Sequence, residues 1–153
     1  MLMFIDLWWR QAGRGIPSEW WTHQSLSFSR LFGNFKCLRE LNLFLCRNLH
    51  SIGLELIAEH CQNLEHLNID EINYLTDESV NFFIKERCQT IKYLWIDGES
   101  LSDKSFSNLY KMVKLEILSI SFADNMGPSG ILSIGKLENL GKLCLAILKR
   151  SFL

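Results

Sequence analysis

The sequence predicts an α/β fold in which a short strand and a short helix alternate, unit after unit, along one parallel sheet. Three observations lead there. The stretch from Cys37 and the stretch from Cys61 superpose, with Leu38 on Leu64, Leu41 on Leu67, Leu43 on Ile69, Cys46 on Ile72 and Leu49 on Leu75. The same frame reopens at Ile91, Leu115 and Leu140, so that successive frames lie 26, 27, 24 and 25 residues apart. Within each frame an alternating apolar run comes first, and the next segments pair a helix-start signal with helical spacing.

The strand of a frame is its Leu-x-Leu core. In Leu41-Asn42-Leu43 the leucines point to one face and the residue between them to the other, because strand side chains alternate. The chain then turns away at Cys46, Ile72, Glu99 and Ala123. A helix follows. Ile52, Leu54, Leu56, Ile57 and Ala58 come after Ser51. Val80, Phe83 and Ile84 come after Thr76-Asp77, and Phe106 and Leu109 after Ser102-Asp103. Ile131 and Ile134 come after Pro128-Ser129. Ser, Thr or Asp ahead of an apolar run satisfies free N–H groups at a helix start, and Pro suits its first turn. A period of 20–29 residues with L-x-x-L-x-L is the signature of leucine-rich repeats. The expected architecture is a leucine-rich-repeat solenoid of about four to five repeats, with a curved parallel sheet on the concave side and short helices outside. Frame three is one residue short in the loop after its strand.

The ends differ from the middle. Residues 1–35 form a Trp-rich N-terminal segment carrying Trp8, Trp9, Trp20 and Trp21, followed by a strand-like stretch at Leu26 and Phe28. This segment is expected to cap the array and to include a degenerate first repeat. Residues 36–153 hold the repeats. The last is incomplete, with the strand Leu143-Cys144-Leu145 but no room for a helix. An uncovered end strand exposes core, so the chain reads as a piece of a longer array, or else its tail folds back as a cap.

Composition narrows the function. With 153 residues, 48% hydrophobic and 22% charged, the chain can bury a core. A net charge of −1 disfavours nucleic acid as a partner. No apolar run is long enough to span a membrane. The five cysteines, Cys37, Cys46, Cys61, Cys88 and Cys144, show no C-x-x-C spacing, and His23, His50, His60 and His66 do not complete a metal set. Reduced thiols in a cytosolic or nuclear protein are expected. No nucleotide-binding, hydrolase or metalloprotease motif is present, so no catalytic residue, cofactor or metal is assigned.

Binding residues are sought between the leucines, where side chains face outward on the concave side. Aligned frames predict three ladders. They are Glu40, His66, Tyr93, Ile117 and Lys142; then Asn42, Asn68, Trp95, Ser119 and Cys144; then Phe44, Asp70, Asp97, Ser121 and Ala146. Tyr93 and Trp95 share one strand beside His66 and Asn68, and exposed aromatics on a rigid sheet make good anchors. Asp70 and Asp97 are expected to rim them with negative charge. Phe44, His66, Asn68, Asp70, Tyr93, Trp95 and Asp97 are therefore the candidate protein-binding residues. Two alternatives stay open. Asn42 and Asn68 would join hydrogen-bond ladders along the sheet, and Tyr93 and Trp95 would pack on each other or under the N-terminal segment.

The frames also resemble the cysteine-containing repeats of F-box/LRR proteins, the substrate receptors of SCF-type ubiquitin ligases. Cys61-Gln62-Asn63-Leu64 and Cys88-Gln89-Thr90-Ile91 open frames as that family's do. Cys46-Arg47-Asn48-Leu49 matches its internal cysteine, and Leu75-Thr76-Asp77 and Leu101-Ser102-Asp103 match its Ile-Thr-Asp element. The likeness covers roughly residues 36–145. The internal cysteine persists only in frame one, and His50-Ser51 and Gly127-Pro128 replace the Thr-Asp element in frames one and four. Trp9-Arg10 and Pro17-Ser18-Glu19-Trp20 resemble the closing segment of an F-box. The resemblance implies a non-catalytic arm that binds a protein substrate for ubiquitination and proteasomal degradation. A Skp-type adaptor would dock only if a complete F-box lies upstream. The alternative is a free-standing repeat scaffold with no ligase role.

Overall fold

The computed structural model describes residues 2–3, 36–47 and 49–146. The expected N-terminal cap, the strand at Leu26–Phe28 and the F-box-like matches lie outside the described residues. Six strands form one sheet in chain order, every neighbouring pair parallel. They are β1 (Leu2–Met3), β2 (Glu40–Asn42), β3 (His66–Ile69), β4 (Tyr93–Asp97), β5 (Ile117–Ser121) and β6 (Lys142–Ala146). Parallel strands need a crossover between them. From β2 onward it is helical: α1 (Ser51–His60), α2 (Asp77–Arg87), α3 (Asp103–Phe106) with a 3₁₀ turn at Leu109–Lys111, and α4 (Pro128–Ile134).

The register follows the sequence alignment residue for residue. Leu41 pairs with Leu67, Leu67 with Leu94, Leu94 with Leu118 and Leu118 with Leu143. Alternation sends these leucines, and Leu43, Ile69, Ile96 and Ile120, toward the helices. Leu54, Ile57, Val80, Phe83, Phe106 and Ile134 meet them in one continuous buried cluster. A fully buried Leu or Ile contributes about 1.5–3 kcal/mol, and each lies against the next frame as well as its own helix. Among the described residues the cluster ends at the last strand: Leu143 and Leu145 are 43% and 39% exposed, where Leu118 and Ile120 are 0%.

Two helical expectations shift. Ile52 and Ile131 were placed in the apolar runs, yet both are exposed, because the buried stripe of each helix passes through Leu54, Ile57 and Ala58 or through Ile134 instead. Frame three has the shortest spacing, and its helix has only four residues. The 3₁₀ turn, which advances faster per residue than an α-helix, carries Leu109 into the core.

The Thr-Asp element has two duties. Thr76 caps its own helix by accepting from the Ser79 N–H, and Ser79 Oγ accepts from the Thr76 N–H in return. Ser102 caps α3 by accepting from the Lys104 N–H at 3.2 Å. The aspartates reach forward to the next helix. Asp77 accepts from Ser102 N, Ser102 Oγ and Ser105 Oγ at 2.9, 2.5 and 2.6 Å. Asp103 Oδ1 accepts from Gly127 N and Gly130 N at 2.9 and 2.7 Å. A Cβ on Gly130 would lie 2.6 Å from Phe106 Cβ and 2.8 Å from Asp103 Oδ1, so only glycine permits this approach. Ser51 does not cap its own helix. It receives the Thr76 N–H and donates to the Tyr74 carbonyl, both at 3.0 Å. Neighbouring helix starts are thus bonded across about one frame of sequence. Asn63 and Asn139 act likewise on the other side, donating to the carbonyls of Lys36 and Val113.

The turns after the strands share a constraint. Leu45, Glu71 and Phe122, one per frame at aligned positions, adopt φ of 63°, 61° and 54°, a left-handed conformation costing a non-glycine residue about 1–2 kcal/mol. In frame three the aligned residue is Gly98. Gly98 stands there outside the left-handed region, donates to the Ser121 carbonyl at 2.7 Å and lies so close to β5 that a Cβ would come within 3.1 Å of Ile120 and two carbonyl oxygens.

Burial raises the pKa of Asp77, but the hydrogen bonds from Ser102 and Ser105 outweigh it and hold the carboxyl below its usual value of 3.8. A depressed folded pKa means stability present above pH 3.8 and lost as pH falls through the folded value. Asp77→Ala is therefore expected to cost about 2 kcal/mol near neutral pH, read as a lower urea midpoint. The two midpoints should converge in stronger acid; a gap that stays constant with pH would show that the carboxylate bonds are not the cause.

Candidate protein-binding face

One face of the sheet carries the helices and the other does not. On the helix-free face the strand pairing assembles the first two ladders as the frames predict. Glu40, His66, Tyr93, Ile117 and Lys142 are consecutive partners, and so are Asn42, Asn68, Trp95, Ser119 and Cys144. His66 Nδ1 lies 3.6 Å from Glu40 Oε1. The His66 and Tyr93 rings are tilted with centroids 4.2 Å apart, and Tyr93 and Trp95 are tilted at 6.5 Å. These three rings form one half-buried aromatic row. Tyr93 Oη donates to Glu116 Oε2 at 3.2 Å, and this bond raises the phenol pKa. The aromatics thus pack on each other while keeping accessible faces.

The other candidates are placed differently. Asn68 Oδ1 accepts from the Asp70 N–H at 3.1 Å, as Asn42 Oδ1 does from the Phe44 N–H at 3.0 Å. These asparagines close turns at their own strand ends, the Asx geometry that competes with the ladder. Phe44 is exposed in such a turn and makes no ring contact among the described residues. Asp70 Oδ2 accepts from Ser121 Oγ at 3.1 Å, a bond that passes over β4. Beneath it Asp97 is only 1% exposed and accepts from the Glu99 N–H at 2.8 Å. The expectation of Asp97 as an exposed rim charge is corrected. β4 pairs Asp97 with Ser121, just as β5 pairs Ser121 with Ala146, and the carboxylate lies inside the sheet end rather than on its rim.

A second row went unread in the sequence. The residue just before each strand forms a ladder of alternating charge: Arg39, Glu65, Lys92, Glu116. Arg39 Nη1 lies 3.0 Å from Glu65 Oε1, and Lys92 Nζ 2.8 Å from Glu65 Oε2. The Lys92 bond lowers the Glu65 pKa, and the Lys92 pKa rises correspondingly. The signal was available one column left of the inter-leucine positions in the aligned frames. Where this row meets the last strands there is an open cleft of about 630 Å³, lined by Lys92, Tyr93, Lys114, Glu116, Ile117 and Lys142 among others.

Nothing in this region points to a metal: no group of three His, Cys, Asp or Glu among the described residues is placed to hold one. No helix among them is long and apolar enough to cross a membrane. All five cysteines are free thiols. Cys46 and Cys61 are buried, Cys88 is partly so, and Cys37 and Cys144 are exposed.

A solved structure shares this architecture. The Caenorhabditis elegans tropomodulin C-terminal domain superposes with a TM-score of 0.59 over 81% of this chain and 83% of that one, at 13% identity. That likeness is one of fold alone. No family model and no curated protein matches the sequence.

Burial pushes the Cys61 thiol up to about 11, against the lowering effect of Arg87. A neutral buried thiol is a packing group, not a nucleophile. At pH 8 a thiol-alkylating reagent should therefore modify Cys37 and Cys144 within minutes and Cys61 only after unfolding, as read by peptide mass mapping. Labelling of Cys61 in the native protein at the same rate would contradict this burial.

Proposed function

We propose that the chain is a leucine-rich-repeat solenoid of about four to five repeats whose helix-free, concave face binds another protein. The observation that carries this reading is the aromatic row His66, Tyr93 and Trp95, held half-open on consecutive rigid strands. Loops need not order to present it, so little conformational entropy is lost on binding, and aromatic side chains in such positions supply much of an interface's energy. The sheet register and the 24–27-residue period support the repeat architecture. Asn68 pairs with Trp95 in the register, and Asp70 and Phe44 lie in the turns that follow β3 and β2.

The resemblance to F-box/LRR repeats extends the proposal. The bound protein is a substrate, and the chain is the recognition arm of an SCF-type ubiquitin ligase without catalytic residues of its own. Support lies in the Thr76-Asp77 and Ser102-Asp103 elements and in the frame-opening Cys61 and Cys88. Without a ligase connection the same face would serve a free-standing adaptor. Co-purification of the full-length gene product with a Skp-type adaptor separates the two: its presence supports the ligase arm, its absence the adaptor.

Tyr93→Ala combined with Trp95→Ala should remove the partners that the wild-type chain captures in a pull-down from cell extract, with the circular dichroism spectrum unchanged. An unaltered partner set from the folded double variant would sink the binding-face reading.

A further inference from the structure

We propose that the cleft at the starts of β4, β5 and β6 takes an acidic segment of the bound protein, an extended stretch carrying Asp or Glu next to an aromatic or aliphatic side chain. This rests on the reading of the helix-free face as protein-binding and specifies the chemistry of its partner. The cleft joins three ammonium groups to one carboxylate, although the whole chain carries a net charge of −1. Lys92 is already engaged by Glu65 at 2.8 Å, and Glu116 receives the Tyr93 hydroxyl. Lys114 and Lys142 are exposed and take part in no ion pair among the described residues. They line the cleft together with Ile117 and Tyr93, where the Gly141 N–H donates to the Glu116 carbonyl at 2.8 Å.

Charge complementarity selects the occupant. An acidic side chain entering between Lys114 and Lys142 gains two charge contacts at a rim that water still reaches. Its apolar neighbour can lie along Ile117 and Tyr93 toward Trp95. The same segment shifted toward the first frames would meet Glu40 and a Glu65 already paired with Arg39 and Lys92, with no unpaired cation in that ladder to receive it. The alternating ladder Arg39–Glu65–Lys92–Glu116 neutralises itself over the early strands. Among the described residues of this row and its neighbouring ladder, the ammonium groups without an ion pair stand at the cleft end, and this sets the direction in which a segment lies. Rim charges of this kind act mainly through steering and specificity.

A fluorescein-labelled random copolymer of glutamate and tyrosine, titrated with the full chain, tests the proposal by fluorescence anisotropy, beside a lysine–tyrosine copolymer. The glutamate polymer should bind, the lysine polymer should not, and added salt should weaken the binding. Lys114→Glu with Lys142→Glu should weaken it about tenfold or more, and Lys114→Gln with Lys142→Gln should do so to a smaller degree. Binding unchanged in the folded charge-reversal variant, or absent in the wild type, overturns the proposal. Tighter binding of a single-stranded oligonucleotide than of the copolymer overturns it too, in favour of a nucleic acid. The pull-down separates this inference from the reading beneath it. Partners lost with Tyr93→Ala/Trp95→Ala but kept with the charge reversal remove the acidic-segment proposal and leave the binding face standing.

Discussion

Parallel register between neighbouring strands is the constraint on which this structure depends. Each inward Leu or Ile of a strand is covered by its counterpart on the next strand and by the helices behind. A slip of one residue would turn every leucine to the helix-free face. No frame owns enough apolar surface to fold alone, so the frames stabilise one another; on β6, the last described strand, Leu143 and Leu145 are open where their predecessors are sealed.

Polar groups enforce the same register from both sides of the sheet. Asp77 and Asp103 each fill the free N–H groups at the start of the following helix, where unsatisfied donors would otherwise be left. Asn63 and Asn139 take up carbonyls of the preceding frame. Hydrogen bonds of this kind are directional and close only at one offset. Burial supplies most of the stability, and these bonds select the alignment.

Frame three departs most from the pattern just after its strand. Gly98 takes the place of the left-handed residue and lies against β5, and the Asp97 carboxylate is buried under the Asp70–Ser121 bond. The aromatic pair Tyr93 and Trp95 sits on the strand that leads into this turn. The same frame thus presents two large aromatic side chains on the helix-free face, and Lys114 and Lys142 line the cleft on the side of the following strands.

By itself the sequence determined the α/β class, the frame boundaries, the inward leucines and the pairing of Glu40 with His66 and of His66 with Tyr93. A period-2 apolar pattern repeated about every 25 residues has only one phase that buries every leucine. The starts of α2, α3 and α4 were equally legible, because capping is a local interaction. Only the tertiary structure decided what lies across a strand or beyond a turn. Asp97 reads as an outward rim charge until the pairing of the strand ends and the Asp70–Ser121 bond above it leave its carboxylate buried. Asn68 reads as a binding residue or a rung of a hydrogen-bond ladder along the sheet until the Asp70 N–H turns back onto its side chain. Arg39, Glu65, Lys92 and Glu116 are scattered charges until parallel pairing sets them side by side. Alternation along a chain assigns a face, but partners on that face come from neighbouring strands, and their spacing depends on loop lengths that no local pattern encodes.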